Sequence, residues 1–273
     1  MYNIIRLLPF MSISAMIKRT MRKSSAILIC FLLFFTLCVC VSCASQISGS
    51  LKGDGQADLD IHTALEPRMT ALIRGLAIAS GTVQPGAAMS APILDGPAIA
   101  ASMSSAPGVA SVSFKNTSPA AIEGPVKIAR IGDFLAPAAA PGRVSFIDFE
   151  QSASLGGASS GGRCTANLSL SSGPEILALI SPEISDYLAA LMAPLVTGEV
   201  LTRAEYLALV GSVYGRGIAD EIAQAFIRAY IDFPGPVQSV KGGTFSGRRA
   251  EFAIPLLDIL ALETPLSYEV VWR

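Results

Sequence analysis

The chain has 273 residues, of which 51% are apolar and only 15% are charged, and its formal net charge is −1. All 21 acidic residues lie from residue 43 onward, whereas five of the 20 basic residues precede it, so the part after residue 42 carries a net charge of −6. This balance argues against a nucleic-acid partner, which would require a basic face. It also makes attraction to anionic headgroups a poor main mode of membrane contact.

The N-terminal segment has the pattern of an export signal. Arg22 and Lys23 precede an apolar run over residues 26–41, and the small residue Ser42 follows it. The run is shorter than the roughly 20 residues of a spanning helix and close in length to the apolar core of a secretory signal. We therefore predict a signal peptide over residues 1–42, with residues 1–20 as an upstream extension. An uncleaved apolar anchor is the alternative.

The junction after this run resembles the signal of a bacterial lipoprotein, which is cleaved before a cysteine that then carries lipid. Cys43 stands at the acceptor position and Cys40 at −3, where the usual lipobox has Leu, Val or Ile. The similarity is therefore to the relaxed, spirochaete-type lipobox. It implies acylation of Cys43, anchoring in membrane lipid, and a location in the cell envelope, at the outer membrane or on the periplasmic face of a membrane.

In the first half of the chain after residue 42, the sequence predicts strands and short helices. Ala57, Leu59 and Ile61 alternate with polar residues, as in a half-buried strand. We expect a hairpin over residues 47–64 with its turn at 52–55, which leaves residues 44–46 as a short tether. The further expected elements are helices over 66–79 and 95–103, strands over 109–116, 125–131 and 143–149, and a helical turn at 133–136.

The second half predicts a strand over residues 163–170 and then a block of amphipathic helices. Thr202 and Glu205 form a capping box, and the glycines at 215 and 217 favour a break or hinge. We expect one apolar helical stripe to continue from Leu207 as far as Phe226 and Tyr230. A hairpin turn at 241–244, a strand over 245–254, a helical turn over 256–262 and a last strand over 266–272 complete the chain.

Two stretches share an order of residues that suggests a duplication. Pro107-Gly108 precedes the sequence Asp-Phe-Leu-Ala at 133–136, and Pro234-Gly235 precedes Asp-Ile-Leu-Ala at 258–261. We predict an α+β fold of two related strand–helix–strand units, residues 43–156 and 157–273, with an antiparallel sheet covered by amphipathic helices, together in one compact domain. Chance similarity between Ala-, Pro- and Gly-rich segments is the alternative.

Chemically reactive residues are sparse after residue 42. Cys164 is the only cysteine beyond Cys43 and is expected to pack as a small apolar residue. His62 is the only histidine, and it shares a strand face with Asp58 and Asp60. A solvated polar face explains this pattern better than a metal site does. The sequence predicts no catalytic residues, no cofactor and no metal, and therefore a protein that is not an enzyme.

The amphipathic helices are the main functional lead. We expect them to bind lipid in an apolar cavity or to contact the membrane surface, in loose similarity to outer-membrane-associated lipoproteins. A structural lipoprotein that binds another envelope protein is the alternative. The candidate lipid-facing residues are Leu188, Leu191, Met192, Leu207, Val210, Tyr214, Ile218, Ile222 and Phe226.

Overall fold

The computed structural model describes residues 43–79, 91–135, 146–151, 161–172 and 197–273. Cys43–Arg273 forms one compact unit, and its mixture of helices and mainly antiparallel strands confirms the predicted α+β class. Among the described residues, no helix combines the length and the apolar character needed to cross a bilayer. The predicted signal peptide and the first part of the predicted block of amphipathic helices lie outside the described residues.

The described elements follow one another as short strands and helices. The strands are β1 Cys43–Leu51, β2 Ala57–Ala64, β3 Val109–Val112, β4 Lys115–Ser118, β5 Ala121–Ile128, β6 Ile147–Gln151, β7 Gly162–Leu168, β8 Phe226–Asp232, β9 Val237–Lys241, β10 Thr244–Ser246, β11 Arg249–Pro255 and β12 Leu266–Trp272. The helices are α1 Pro67–Ala79, α2 Gly96–Ser104, α3 Ile131–Leu135, α4 Arg203–Tyr214, α5 Arg216–Gln224 and α6 Leu256–Ala261, with a 3₁₀ turn at Leu170–Ser172.

The larger of two sheets has β1 near its centre. Its strand order is β10-β11-β8-β1-β2-β5-β3, and β4 also pairs with β5. Among the described strands of this sheet, all neighbours are antiparallel except β1 and β8, which run parallel in a register that places Cys43 opposite Phe226. The parallel pair joins the two predicted units, because β1 belongs to the first unit and β8 to the second.

The main core lies between the two sheets. The smaller sheet has the order β6-β7-β12-β9, and its Trp272 packs in one apolar cluster with Val126 and Ala250 of the larger sheet. Ala100 of α2 joins the same cluster. The inner face of the larger sheet is thus covered in part by a second sheet, in addition to the helices that the sequence predicted.

A second core cluster joins four helices at the end of the large sheet where β1 begins. α1 follows β2, α5 leads into β8, and α6 follows β11. The Glu221 carboxylate of α5 accepts hydrogen bonds from the backbone N–H groups of Arg68, at 3.0 Å, and Met69, at 2.9 Å, which fixes the first turn of α1. The buried members of the cluster are Tyr206, Val210, Ile218, Ala219, Ile222, Leu260, Ala261 and Leu262.

The predicted capping box at the start of α4 and the predicted break after it are confirmed. Thr202 accepts a hydrogen bond from the backbone N–H of Glu205, whose carboxylate in turn accepts one from the backbone N–H of Thr202. The helix ends at Tyr214, and Gly215, with φ of 94°, separates it from α5. That backbone angle strongly favours glycine, so the predicted break lies at this residue.

Several predicted element boundaries are wrong. β1 already begins at Cys43, so residues 44–46 are part of a strand and not a tether. Phe226 and Tyr230 belong to β8 and not to a helix. The predicted strand over 109–116 is two short strands, and the one over 245–254 is interrupted by a turn at Gly247, with φ of 60°.

The expected hairpin turn at residues 241–244 is also wrong. β9 pairs with β12 in the smaller sheet, whereas β10 pairs with β11 in the larger sheet. Gly242 and Gly243 therefore carry the chain from one sheet to the other. The glycine pair correctly predicted that the chain changes direction here. The strands with which β9 and β10 pair are determined by residues far away in the sequence.

The two predicted units share part of their architecture. β5-α3-β6 and β11-α6-β12 each consist of a strand of the larger sheet, a short helix and a strand of the smaller sheet. The strands after the two Pro-Gly pairs differ, because β3 pairs with β5 in the larger sheet and β9 with β12 in the smaller one. The duplication stays a prediction.

Candidate functional site

The outer face of the large sheet carries a regular array of polar side chains. Strand register places Gln46 beside His62 and Arg228, and Ser48 beside Asp60 and Tyr230. Because successive residues of a strand point to opposite faces, these side chains lie on the face away from the core. The rows from the Cys43 end onward are Arg228–Gln46–His62–Glu123, Glu251–Tyr230–Ser48–Asp60–Pro125 and Arg249–Asp232–Ser50–Asp58–Lys127.

Two cross-strand ion pairs neutralise charges of this face. Arg249 donates hydrogen bonds from its Nε and Nη2 atoms to the two carboxylate oxygens of Asp232, at 3.0 and 2.7 Å, and this hydrogen bonding lowers the pKa of the Asp232 carboxyl. Lys52 lies 2.6 Å from Asp58 and likewise lowers the pKa of that carboxyl. Since all four side chains are about half exposed, each pair contributes little to stability.

A third ion pair lies at the β4 edge. Lys115 lies 3.0 Å from Glu123, and its hydrogen bond is the main cause of the lowered pKa of the Glu123 carboxyl. The His62 Nδ1 atom lies 3.6 Å from the other carboxylate oxygen of Glu123. Asp60 differs from these acids, because among the described residues it has no ion-pair partner.

Three adjoining clefts follow the outer face across its strands, and we call them together the strand-crossing groove. The first, of about 340 Å³, includes Gln46, Ser48, Asp60, His62, Lys115 and Glu123. The second, of about 580 Å³, includes Gln46, Ser48, Ser50, Asp60, Tyr230 and Arg249. The third, of about 380 Å³, includes Arg228, Tyr230, Gly242, Gly243, Thr244 and Glu251.

The predicted polar face of β2 is present, since Asp60 and His62 are exposed on the outer side of the sheet. In the parts of the chain that the structure describes, no group of three or more His, Cys, Asp or Glu residues could hold a metal ion. Sequence reasoning missed the groove, because Tyr230 and Arg249 come from strands that are distant along the chain from the predicted hairpin of β1 and β2. The alternation of polar residues on each strand was the available signal.

The candidate lipid-facing residues lie in three kinds of position. Leu188, Leu191 and Met192 are outside the described residues. Phe226 is partly buried at the start of β8. The others belong to α4 and α5, where Val210, Ile218 and Ile222 are buried in the helical cluster, and Leu207 and Tyr214 pack against it.

Exposed apolar side chains lie on the opposite side of α4. Leu209 is 44% exposed and Val213, one helical turn later, is 61% exposed, and Val200 just before the helix is 63% exposed. α4 is thus apolar on its outer side as well as on its buried side, which is typical of a helix with contacts on both sides. Its only charged residues, Arg203 and Glu205, lie in the first turn.

Cys164 lies on β7 and packs against the main core cluster. Burial raises the pKa of its thiol to about 11. The reactive thiolate is therefore scarce near neutral pH and increases only as the pH approaches that value. This agrees with the expected packing role.

We predict that Cys164 resists alkylation in the folded protein. Iodoacetamide at about pH 8 should leave its thiol largely unmodified, and unfolding in guanidinium should make it react fully. Mass spectrometry of the peptide that contains Cys164 measures the modified fraction. An exposed thiol in a Ser246→Cys variant serves as the reactive control. Equal alkylation of both thiols in the native state would contradict the assignment.

Comparisons with known proteins give no family. No family model matches the chain, and no curated protein matches it. Among solved structures, the NMR structure of the folded domain of LppM from Mycobacterium tuberculosis is similar with a TM-score of 0.34 and 11% sequence identity, over 85% of this chain and 90% of that one. A likeness of this size defines neither a shared fold nor a shared function.

Proposed function

We propose that this chain is a non-enzymatic, lipid-anchored protein of the cell envelope, which rests its helical end on the bilayer through an acylated Cys43. One observation carries the proposal: Cys43 is the first residue of a central strand, at the end of the sheet where α1, α5 and α6 meet the strands. An acyl chain attached there leaves no linker between the membrane and the folded body. The helical end therefore lies at the headgroups.

The apolar outer side of α4 supports contact with the membrane surface. α4 packs against α5 and α6, so Leu209 and Val213 belong to the same helical end as the anchor. Each buried methylene contributes about 0.8 kcal/mol to membrane binding. A few such side chains strengthen attachment and orient the domain, although they are too few to hold it at a membrane alone.

Surface contact is favoured over lipid in an internal cavity. Val210, Ile218 and Ile222 already contact protein on the inner side of the helices, so they have no free surface for an acyl chain. Leu209 and Val213 are exposed. The contribution of the helices to lipid binding is thus assigned to the outer side of α4.

The test measures vesicle binding by the compact unit Cys43–Arg273 with Cys43→Ser, which removes the anchor. We expect weak binding to phosphatidylcholine vesicles in a flotation assay. Leu209→Ser combined with Val213→Ser should weaken it about tenfold, because two apolar side chains no longer enter the interface.

Phe245→Ser is the control, because Phe245 is 46% exposed and lies on β10, away from the helical cluster. Binding that responds equally to both sets of substitutions would overturn the membrane assignment of α4. The structural lipoprotein would instead be supported if the protein does not bind vesicles but binds another envelope protein, and if that binding requires Leu209 and Val213.

A further inference from the structure

The three clefts of the strand-crossing groove adjoin one another across the large sheet. Gln46, Ser48 and Asp60 line both of the first two clefts, and Tyr230 lines both the second and the third. Neighbouring strands lie about 4.8 Å apart, so a groove from β5 to β10 crosses six strands over about 24 Å. A ligand that fills it is extended and consists of several units.

The floor of the groove is built from hydrogen-bonding groups. The Gln46 carboxamide and the Ser48 and Ser50 hydroxyls both donate and accept hydrogen bonds, and the Asp60 carboxylate accepts them. Sites for apolar molecules are lined mainly by apolar side chains. An acyl chain here would displace water from these polar groups without replacing its hydrogen bonds. The groove therefore suits a ligand rich in hydroxyl groups.

The charges of the groove argue against a strongly charged ligand. Arg249 is held by Asp232 and Lys115 by Glu123, so these cations are already neutralised by the protein. A polyanion would have to compete with these carboxylates. A polycation would find Asp60 and Glu251 as the two groove carboxylates that form no ion pair among the described residues, which is too little for strong attraction in an exposed groove.

Tyr230 provides a flat surface in the middle of the groove. Its side chain is partly exposed on the outer face and lies in the same row as Ser48 and Asp60. An aromatic ring presents an apolar face together with a polar hydroxyl, which matches a sugar ring with its C–H face and its hydroxyl edge. Asp60, two strands away, can accept hydrogen bonds from two neighbouring sugar hydroxyls.

We propose that the strand-crossing groove binds a neutral oligosaccharide. This inference does not rest on the lipid anchor, and the two sites can be occupied together. Ser48 lies five residues along β1 from Cys43, about 17 Å at the rise of a β-strand. With the helical end at a membrane, the groove would thus face sideways above the headgroups, where a polysaccharide chain can reach it.

The test is calorimetric titration of the full-length protein with defined neutral oligosaccharides such as cellohexaose, maltohexaose, mannohexaose and chitohexaose. A zwitterionic detergent is used, since alkyl glycosides would compete for the groove. We expect at least one oligosaccharide to bind with a Kd below about 1 mM. The Kd should change less than about twofold between about 50 and 500 mM NaCl, because a neutral ligand is not screened.

Two substitutions locate the binding. Asp60→Asn should weaken it about tenfold, since a charge-assisted hydrogen bond is replaced by a neutral one, and Tyr230→Ser should weaken it at least as much. Asp220→Asn is the matched control, because Asp220 is an exposed carboxylate on α5, and it should leave the Kd unchanged. Circular dichroism confirms that each variant keeps its fold.

Three results would overturn the proposal. The first is that none of the oligosaccharides binds the folded protein below about 1 mM. The second is binding that both groove variants leave intact. The third is tighter binding of a lysine-rich peptide than of any oligosaccharide, with an affinity that falls steeply with salt, since this would assign the groove to a charged ligand.

Discussion

Replacing Cys43 with alanine should abolish incorporation of radiolabelled palmitate and leave the protein at its precursor mass. The thiol is the only group at that position that can accept the lipid, and cleavage before residue 43 depends on the lipid-bearing cysteine in the lipoprotein pathway that the signal resembles. The expected change is a complete loss of label, measured by autoradiography and intact-protein mass spectrometry after expression in a bacterium that carries out this modification.

Cys40→Ala is the matched control for this experiment. Cys40 is the neighbouring thiol and stands at the −3 position, where a small side chain changes the lipobox without removing the acceptor. This variant should keep its label. If the Cys43→Ala variant keeps its label and the Cys40→Ala variant loses it, Cys40 is the lipid acceptor. If the wild-type protein is not labelled, the proposed lipid-anchored function is contradicted.

Trp272→Ala should cost about 3–5 kcal/mol of unfolding free energy, the largest effect that we expect from one core substitution. Trp272 is 1% exposed. Its ring centroid lies 4.8 Å from that of Phe233 and 6.0 Å from that of Phe149. Removing the indole leaves a cavity where the two sheets meet, and small domains have only about 5–15 kcal/mol of stability in total.

Urea unfolding followed by far-ultraviolet circular dichroism measures this loss, because the chain has no other tryptophan to report fluorescence. Trp272→Phe keeps one aromatic ring between Phe149 and Phe233 and should lose clearly less stability. Asn167→Ala, at an exposed position of β7, should change the midpoint very little. A midpoint for Trp272→Ala equal to that of Asn167→Ala would show that the two sheets do not depend on this contact.

The features that the sequence predicted correctly depend on near neighbours. The capping box of Thr202 and Glu205, the break at Gly215 and the hairpin of β1 and β2 each involve residues a few positions apart. The helical prediction for Phe226 and Tyr230 is wrong because these two residues of β8 continue the helical spacing of the preceding stripe. Its strand conformation comes from pairing with β1, which lies far away in the sequence and which no local pattern reveals.

The groove illustrates the same limit at the level of the site. Alternation along β2 predicted that Asp58, Asp60 and His62 share a face, and the structure confirms it. Ser48 joins this face through the predicted hairpin of β1 and β2, but that β8 adds Tyr230 follows only from the strand order. The function of these residues therefore could not be inferred before the sheet was known, because each strand alone looks like an ordinary solvated surface.

The parallel pairing of β1 with β8 has a consequence for the timing of folding. β1 is the first of the described strands to be synthesised, but its parallel neighbour is complete only when Asp232 has left the ribosome. Contacts between such distant segments form slowly. The middle of the large sheet thus stays open while most of the polypeptide is made, which would suit the export that the proposed lipid anchor requires.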